Sequence, residues 1–155
     1  MSLGICFEYT LNGYHRTQWL QLVSAFKPDF AYERTGRPVE DEDRKDILDA
    51  ARVDGTIPVA DLTGVPHRDM RLVVLSPQSA REVVPTIALP DFNHPENAMY
   101  YFGGDREHTG LEDLESWPKR DVVYIPTLSD REQDEFWSVN VGGIVLYDRM
   151  ARSWQ

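Results

Sequence analysis

The sequence predicts an α/β domain: a mostly parallel sheet with helices on both faces. Three observations carry this. Apolar runs of strand length alternate along the chain with stretches of helical spacing. The strand-like runs are continuously apolar, as in strands buried on both faces. The 155 residues contain no internal repeat, low-complexity segment or interior linker, so a single domain over residues 1–155 is expected.

The elements follow in order. Residues 3–8 form a buried strand, and Asn12-Gly13 is a turn signal. From His15 to Phe26, Trp19, Leu20, Leu22, Val23 and Phe26 keep helical spacing until Lys27-Pro28-Asp29 ends the run. Phe30-Ala31-Tyr32 supplies a second strand. After the loop Thr35–Pro38, the acidic run Asp41-Glu42-Asp43 opens a helix over 44–52, where it complements the helix dipole. Residues 56–60 are extended, 71–76 form a buried strand ended by Pro77, and 79–84 suit a short helix. Residues 90–97 form a loop, 98–102 a strand stopped by Gly103-Gly104, and 111–117 about two helical turns. Asp121–Thr127 is a strand closed by proline, and an acidic connection leads to a helix from Ser138 to Asp148. Ligands of open α/β sheets sit at the carboxyl ends of strands, so this last strand–helix junction is the expected place for a small molecule.

Composition narrows the function classes. A net charge of -10 argues against a protein that wraps nucleic acid by charge alone. Arg68, Arg71, Arg81, Arg149 and Arg152 read mostly as solvated surface, although a dimer could gather Arg16, Arg68, Arg71, Arg81 and Arg106 on one face. No apolar run is long enough to cross a membrane, and the N-terminus has no secretory signal. The single cysteine, Cys6, lies in an apolar run and reads as a buried thiol, which fits a cytoplasmic location.

Several chemistries lack their residues. There is no G-x-G-x-x-G after the first strand and no phosphate-binding G-x-x-x-x-G-K-[ST]. His15, His67, His94 and His108 have no metal-ligand spacing and read as surface or loop residues, so no metal is expected. Ser76 and Ser79 stand outside any G-x-S-x-G. What remains is three strand ends that carry glycine or polar residues. They are Phe102-Gly103-Gly104-Asp105-Arg106-Glu107-His108-Thr109-Gly110-Leu111, Ile125-Pro126-Thr127, and Ser138-Val139-Asn140-Val141. Glycine after a strand lets backbone groups approach a ligand closely.

In this order and near this spacing, over residues 98–150, the three segments resemble the SpoU (TrmH) branch of the SPOUT methyltransferases. These are S-adenosylmethionine-dependent RNA 2'-O-methyltransferases with a C-terminal trefoil knot. The resemblance implies a threaded C-terminal segment, which connection rules alone would not predict. It implies that S-adenosylmethionine is held by Phe102, Gly103, Gly104 and Gly110, by Ile125, Pro126 and Thr127, and by Val139. It implies catalytic roles for Arg16, for Asp105 or Glu107 as the acid that orients it, and for Ser138 and Asn140. It further implies a homodimer through the C-terminal helix, with Gly142 and Gly143 allowing close packing. Ile144, Val145, Met150 and Trp154 would supply apolar contacts to the partner or to the core. The substrate would be tRNA or rRNA, with no RNA-binding domain appended.

The chain also departs from the family pattern. Asn140-Val141 runs directly into Gly142-Gly143, a few residues short of the family's third motif. Asn12 and Arg16-Thr17 resemble the first motif at a shorter spacing. Two other functions stay open: a knotted dimer that binds cofactor or RNA without transfer, and a methyltransferase for a non-RNA substrate, which the negative charge suits better.

Overall fold

The computed structural model describes residues 2–8, 13–34, 54–59, 62–76, 84–103, 117–129, 136 and 138–155. They form strands β1 (Ser2–Glu8), β2 (Phe30–Arg34), β3 (Ile57–Val59), β4 (Arg71–Leu75), β5 (Ile87–Ala88), β6 (Asn97–Phe102) and β7 (Arg120–Tyr124). Helices α1 (Gly13–Phe26) and α2 (Ser138–Ser153) accompany them, with single 3-10 turns at Leu62–Gly64 and Leu89–Asp91. The strands make one seven-stranded sheet in the order β3-β2-β1-β6-β4-β7-β5. Every pairing in it is parallel.

Side chains alternate between two cores, as the period of two along a strand requires. Ile5, Phe7, Val73, Leu75, Tyr100 and Phe102 face one side, where Trp19 of α1 and Val145 and Leu146 of α2 cover them. Cys6, Leu72, Val74, Met99 and Tyr101 face the other, under Leu62, Val65, Met70 and Trp117. Burial on both faces is why these strands read as unbroken apolar runs. Each fully buried large side chain contributes roughly 1.5–3 kcal/mol. Phe7 and Trp19 add a stacked ring pair with centroids 4.8 Å apart.

Both described helices lie on the first face. The predicted helix over 44–52 falls outside the described residues, as do those over 79–84 and 111–117 except for Val84 and Trp117. So do residues 104–116 and 130–135, which the expected knot would involve. α1 ends at Lys27, whose φ of 47° is left-handed and whose N–H donates to the Val23 carbonyl at 3.0 Å. α2 packs on α1 through Gly142, where an added Cβ would stand 2.8 Å from the Trp19 ring. That close approach, expected at a dimer interface, occurs within the chain. Val145 is core, whereas Ile144, Tyr147 and Trp154 are exposed.

Candidate functional site

Parallel strands bring their carboxyl ends to one rim, and the pairing register gives its order. Phe7 pairs with Glu33 on one side and with Phe102 on the other. Leu75 then pairs with Phe102 and with Val123. Glu33, Phe7, Phe102, Leu75 and Val123 therefore form one row across five strands. With about 4.8 Å between neighbouring strands, Phe102 lies about 10 Å from Glu33 on one side and from Val123 on the other. The predicted cofactor residues Phe102 and Gly103 occupy the centre of the rim, both buried.

One flank carries the predicted Arg16. It sits near the start of α1, which begins at the carboxyl end of β1, and reaches Glu33 at the end of β2. Arg16 Nε–H donates to Glu33 Oε2 at 3.2 Å and Nη2–H to Oε1 at 2.8 Å. Nη1–H donates to Asp54 Oδ2 at 2.8 Å. Thr56 completes the inner carboxylate, its hydroxyl donating to Glu33 Oε1 at 2.6 Å. Burial pulls the Arg16 pKa down, but the two carboxylates outweigh it and hold it above the ordinary arginine value. Arg16 is thus a fixed cation, able to orient and stabilise negative charge but not to accept a proton. Asp105 and Glu107, the acids expected to orient it, lie outside the described residues, as do Gly104 and Gly110.

The other flank carries Ile125, Pro126 and Thr127, immediately after β7. Ile125 packs against the first core, and Thr127 Oγ1 donates to the Ser129 carbonyl at 2.9 Å. α2 begins at Ser138 as predicted, with Val139 against the core and Asn140 exposed on its first turn. One residue beyond the central row, Glu8 Oε2 and Ser76 Oγ are buried with no hydrogen-bond partner among the described residues. They stand at the ends of β1 and β4, the strands on either side of β6 and Gly103.

Sequence reasoning missed Glu33, Asp54 and Thr56. A signal was present: Glu33 extends the run Phe30-Ala31-Tyr32 and shares the inward face of Ala31, where an unpaired charge would be prohibitive. It also missed a second cluster under α2, and His94 is not the surface histidine expected. Its side chain is 7% exposed, its Nε2 lies 2.7 Å from Asp148 Oδ2 and its Nδ1 2.7 Å from the Tyr100 hydroxyl. Burial lowers its pKa, and although Asp148 raises it, the net shift is downward. The ring is therefore neutral near pH 7, with Nε2–H donating to Asp148 and Nδ1 accepting from Tyr100. Burial also pushes the Tyr100 hydroxyl well above the ordinary phenol value. Arg152 Nε–H donates to Asp148 Oδ1 at 3.2 Å, and its Nη groups donate to the carbonyls of Phe92 and Leu89.

Within one chain, the described arginines that a dimer could gather on one face are spread over the sheet. Arg68 and Arg71 sit at the amino end of β4, away from the rim that holds Arg16. Arg71 pairs with Asp121, and Arg68 lies over the Trp117 ring with its Cζ 4.9 Å from the centroid. Arg81 and Arg106 are outside the described residues. Among the described residues no group of three or more His, Cys, Asp or Glu could hold a metal ion. No described helix is long and apolar enough to cross a membrane.

Solved structures share this fold. The A. aeolicus TrmH/SpoU tRNA modifying enzyme matches with a TM-score of 0.65 and 15% identity, over 97% of this chain and 74% of that one. An RNA 2'-O ribose methyltransferase matches at 0.65 and 13%, over 99% of this chain and 57% of that one. An AdoMet-bound rRNA methyltransferase from Sinorhizobium meliloti matches at 0.66 and 9%, over 97% and 56%. The chain spans less than two thirds of the length of the last two. No protein-family model and no curated protein sequence matches it. The seven-stranded parallel sheet with its two described helices thus shares the α/β fold of TrmH/SpoU RNA methyltransferase structures.

Proposed function

We propose that this chain is an S-adenosylmethionine-dependent RNA methyltransferase of the SpoU (TrmH) type, acting on a ribose 2'-hydroxyl of tRNA or rRNA. The observation that carries this reading is the order of the carboxyl rim. Phe102-Gly103 sits at its centre, the Arg16–Glu33 pair on one flank and Ile125-Pro126-Thr127 on the other. The residues around Gly103 fit an adenosine-bearing cofactor. Phe102 and Ile125 are apolar, Gly103 leaves backbone groups open to close approach, and the unpartnered Glu8 and Ser76 oxygens could accept amino or hydroxyl protons. Phe102, Gly103, Gly104, Gly110, Ile125, Pro126, Thr127 and Val139 would hold it. When bound, S-adenosylmethionine supplies an electrophilic methyl group on a sulfonium.

The protein's own contribution is alignment and charge. Arg16 orients the acceptor hydroxyl and stabilises negative charge developing on its oxygen, since a fixed cation is preorganised for that task, and the hydroxyl proton leaves to water as the oxygen takes the methyl group. Asp105 or Glu107 would stand near it, while Ser138 and Asn140 at the mouth of α2 position substrate and loop. The outward residues Ile144 and Tyr147 of α2, with Trp154 just beyond its end, would meet a second copy in a homodimer. Transfer of tritiated methyl groups from S-adenosylmethionine to total RNA tests the reading, with Asn140→Ala as the impaired control. Absence of transfer by the unaltered chain overturns it.

A second reading is a knotted dimer that binds cofactor without transferring its methyl group. The direct run of Asn140-Val141 into Gly142-Gly143 favours it, because the departure from the family's third motif falls in the first turns of α2. Calorimetric binding of S-adenosylmethionine without transfer to any RNA pool would select it.

A further inference from the structure

The two carboxylates that hold Arg16 are not equivalent. The Glu33 side chain is 2% exposed and takes the Nε–Nη2 edge of the guanidinium, with Thr56 bound to the same oxygen. The Asp54 side chain is 26% exposed and takes only Nη1. Asp54 directly precedes Gly55, whose φ of 74° turns the chain toward β3 and where an added Cβ would meet nothing within 4 Å. Withdrawing Glu33 would strand a charge inside the protein. Withdrawing Asp54 returns a partly exposed carboxylate to water, at little cost.

We propose that Asp54 is a built-in stand-in for a phosphate of the substrate RNA. In the free protein it occupies the outer amino group of Arg16, and on docking it yields that group to the phosphodiester beside the acceptor ribose. This rests on the reading of the chain as an RNA methyltransferase. The exchange swaps one oxyanion for another on the same N–H, so the guanidinium never loses its counter-charge. Glu33 keeps the inner edge in place throughout, so Arg16 meets the phosphate already aimed. The phosphate and the 2'-hydroxyl of one nucleotide are neighbours, so gripping the first fixes the second. In a chain with a net charge of -10, a carboxylate that leaves Arg16 only for a competing anion also discourages unspecific anion binding.

The test compares the unaltered chain with Asp54→Asn, which keeps shape and removes charge. Filter binding of unfractionated tRNA at low salt is expected to tighten roughly twofold to fivefold, the range of a partly exposed charge interaction. Adding Arg16→Ala to Asp54→Asn is expected to erase the gain. Nitrogen-15 spectra of the arginine side chains give a second readout. Inorganic phosphate should shift the Arg16 Nη signals at lower concentration in Asp54→Asn than in the unaltered chain, and leave Nε unmoved. Unchanged or weaker tRNA binding by Asp54→Asn, or a gain that survives Arg16→Ala, overturns the proposal. If tRNA binds none of these proteins, the RNA reading fails on its own. The phosphate titration then decides the exchange, and unresponsive Nη signals in Asp54→Asn overturn it.

Discussion

Two polar clusters lie on the same face of the sheet, and they are built differently. Under α2, the chain Tyr100–His94–Asp148–Arg152 is closed at its inner end, where the His94 side chain is 7% exposed, while Asp148 and Arg152 reach solvent. The hydroxyl, both ring nitrogens, the carboxylate and the guanidinium each have a partner inside the protein, and the histidine is uncharged. At the carboxyl rim, Arg16 is charged and held from inside by Glu33, and its outer amino group rests on the partly exposed Asp54. A completed polar network fixes one geometry, here the seat of α2 on the loop before β6. A network with a replaceable member can accept a ligand without leaving a charge unpaired. The rim cluster is accordingly the one assigned to chemistry.

Breaking the inner half of the rim cluster is expected to have the largest effect. Glu33→Ala leaves the Nε–Nη2 edge of Arg16 and the Thr56 hydroxyl without their acceptor, and should lower stability by about 3 kcal/mol in urea unfolding. A loss below about 1 kcal/mol would mean that Asp54 alone holds Arg16, as an ordinary surface pair would. Arg16→Ala is expected to lower methyl transfer about 100-fold, the usual effect of removing one preorganised charge donor. Its calorimetric affinity for S-adenosylmethionine should stay unchanged. Full transfer by Arg16→Ala would remove the arginine from the mechanism and leave its pairing with Glu33 purely structural.

The contrast also explains what was legible in the sequence. The sheet was, because strands buried on both faces must be apolar through their buried length, as in residues 72–75 and 98–102. The C-terminal end of α1 and the start of α2 were also legible, from Lys27-Pro28 and Ser138. The strand order was not, since β6 lies between β1 and β4 and no local signal records a crossover. The two-residue β5 was too short to show any periodicity. Of the rim, glycine, proline and the motif order disclosed Phe102, Gly103 and Ile125. The Glu33–Arg16 pair joins residues 17 apart and Asp54–Arg16 residues 38 apart. Such pairs exist only once parallel strands have set the register. His94 and Asp148 are 54 residues apart and were hidden for the same reason.

Packing between the helices offers a sharper test at adjacent positions. Gly142 and Gly143 look alike in sequence and should respond with opposite signs. At Gly142 a Cβ would meet Trp19 Cη2 and Cζ3 at 2.8 Å and Leu22 Cδ1 at 3.1 Å, and an indole stacked on Phe7 has little room to yield. Gly142→Ala should therefore cost roughly 1–3 kcal/mol from overpacking, offset in part by the better helix propensity of alanine. At Gly143 the nearest atom is Leu22 Cδ2 at 3.8 Å, an ordinary contact. Gly143→Ala should stabilise by up to about 1 kcal/mol. Thermal melts of the two variants decide this, and destabilisation of equal size at both positions would mean that α2 does not meet α1 through Gly142.

The smallest expected effect belongs to the closed cluster and is read through pH. The folded pKa of His94 lies below its ordinary value of 6.5 because burial disfavours the charged ring more than Asp148 favours it, with Arg152 and Arg149 adding to the lowering. As pH falls through about 6.5, the unfolded chain takes up the proton first, so the balance moves toward unfolding. The stabilisation is fully present above that pH and is lost progressively until the folded ring also protonates. A protonated ring would turn Nδ1 from acceptor to donor and displace the proton of the Tyr100 hydroxyl from its present bond. The melting temperature of the unaltered chain should fall between pH 7.5 and 5.5. His94→Gln, which cannot titrate, should lose part of that slope while starting from a lower value at pH 7.5. Equal slopes in the two proteins would mean that His94 is free to protonate in the folded state, and that the cluster under α2 is as open as the one at the rim.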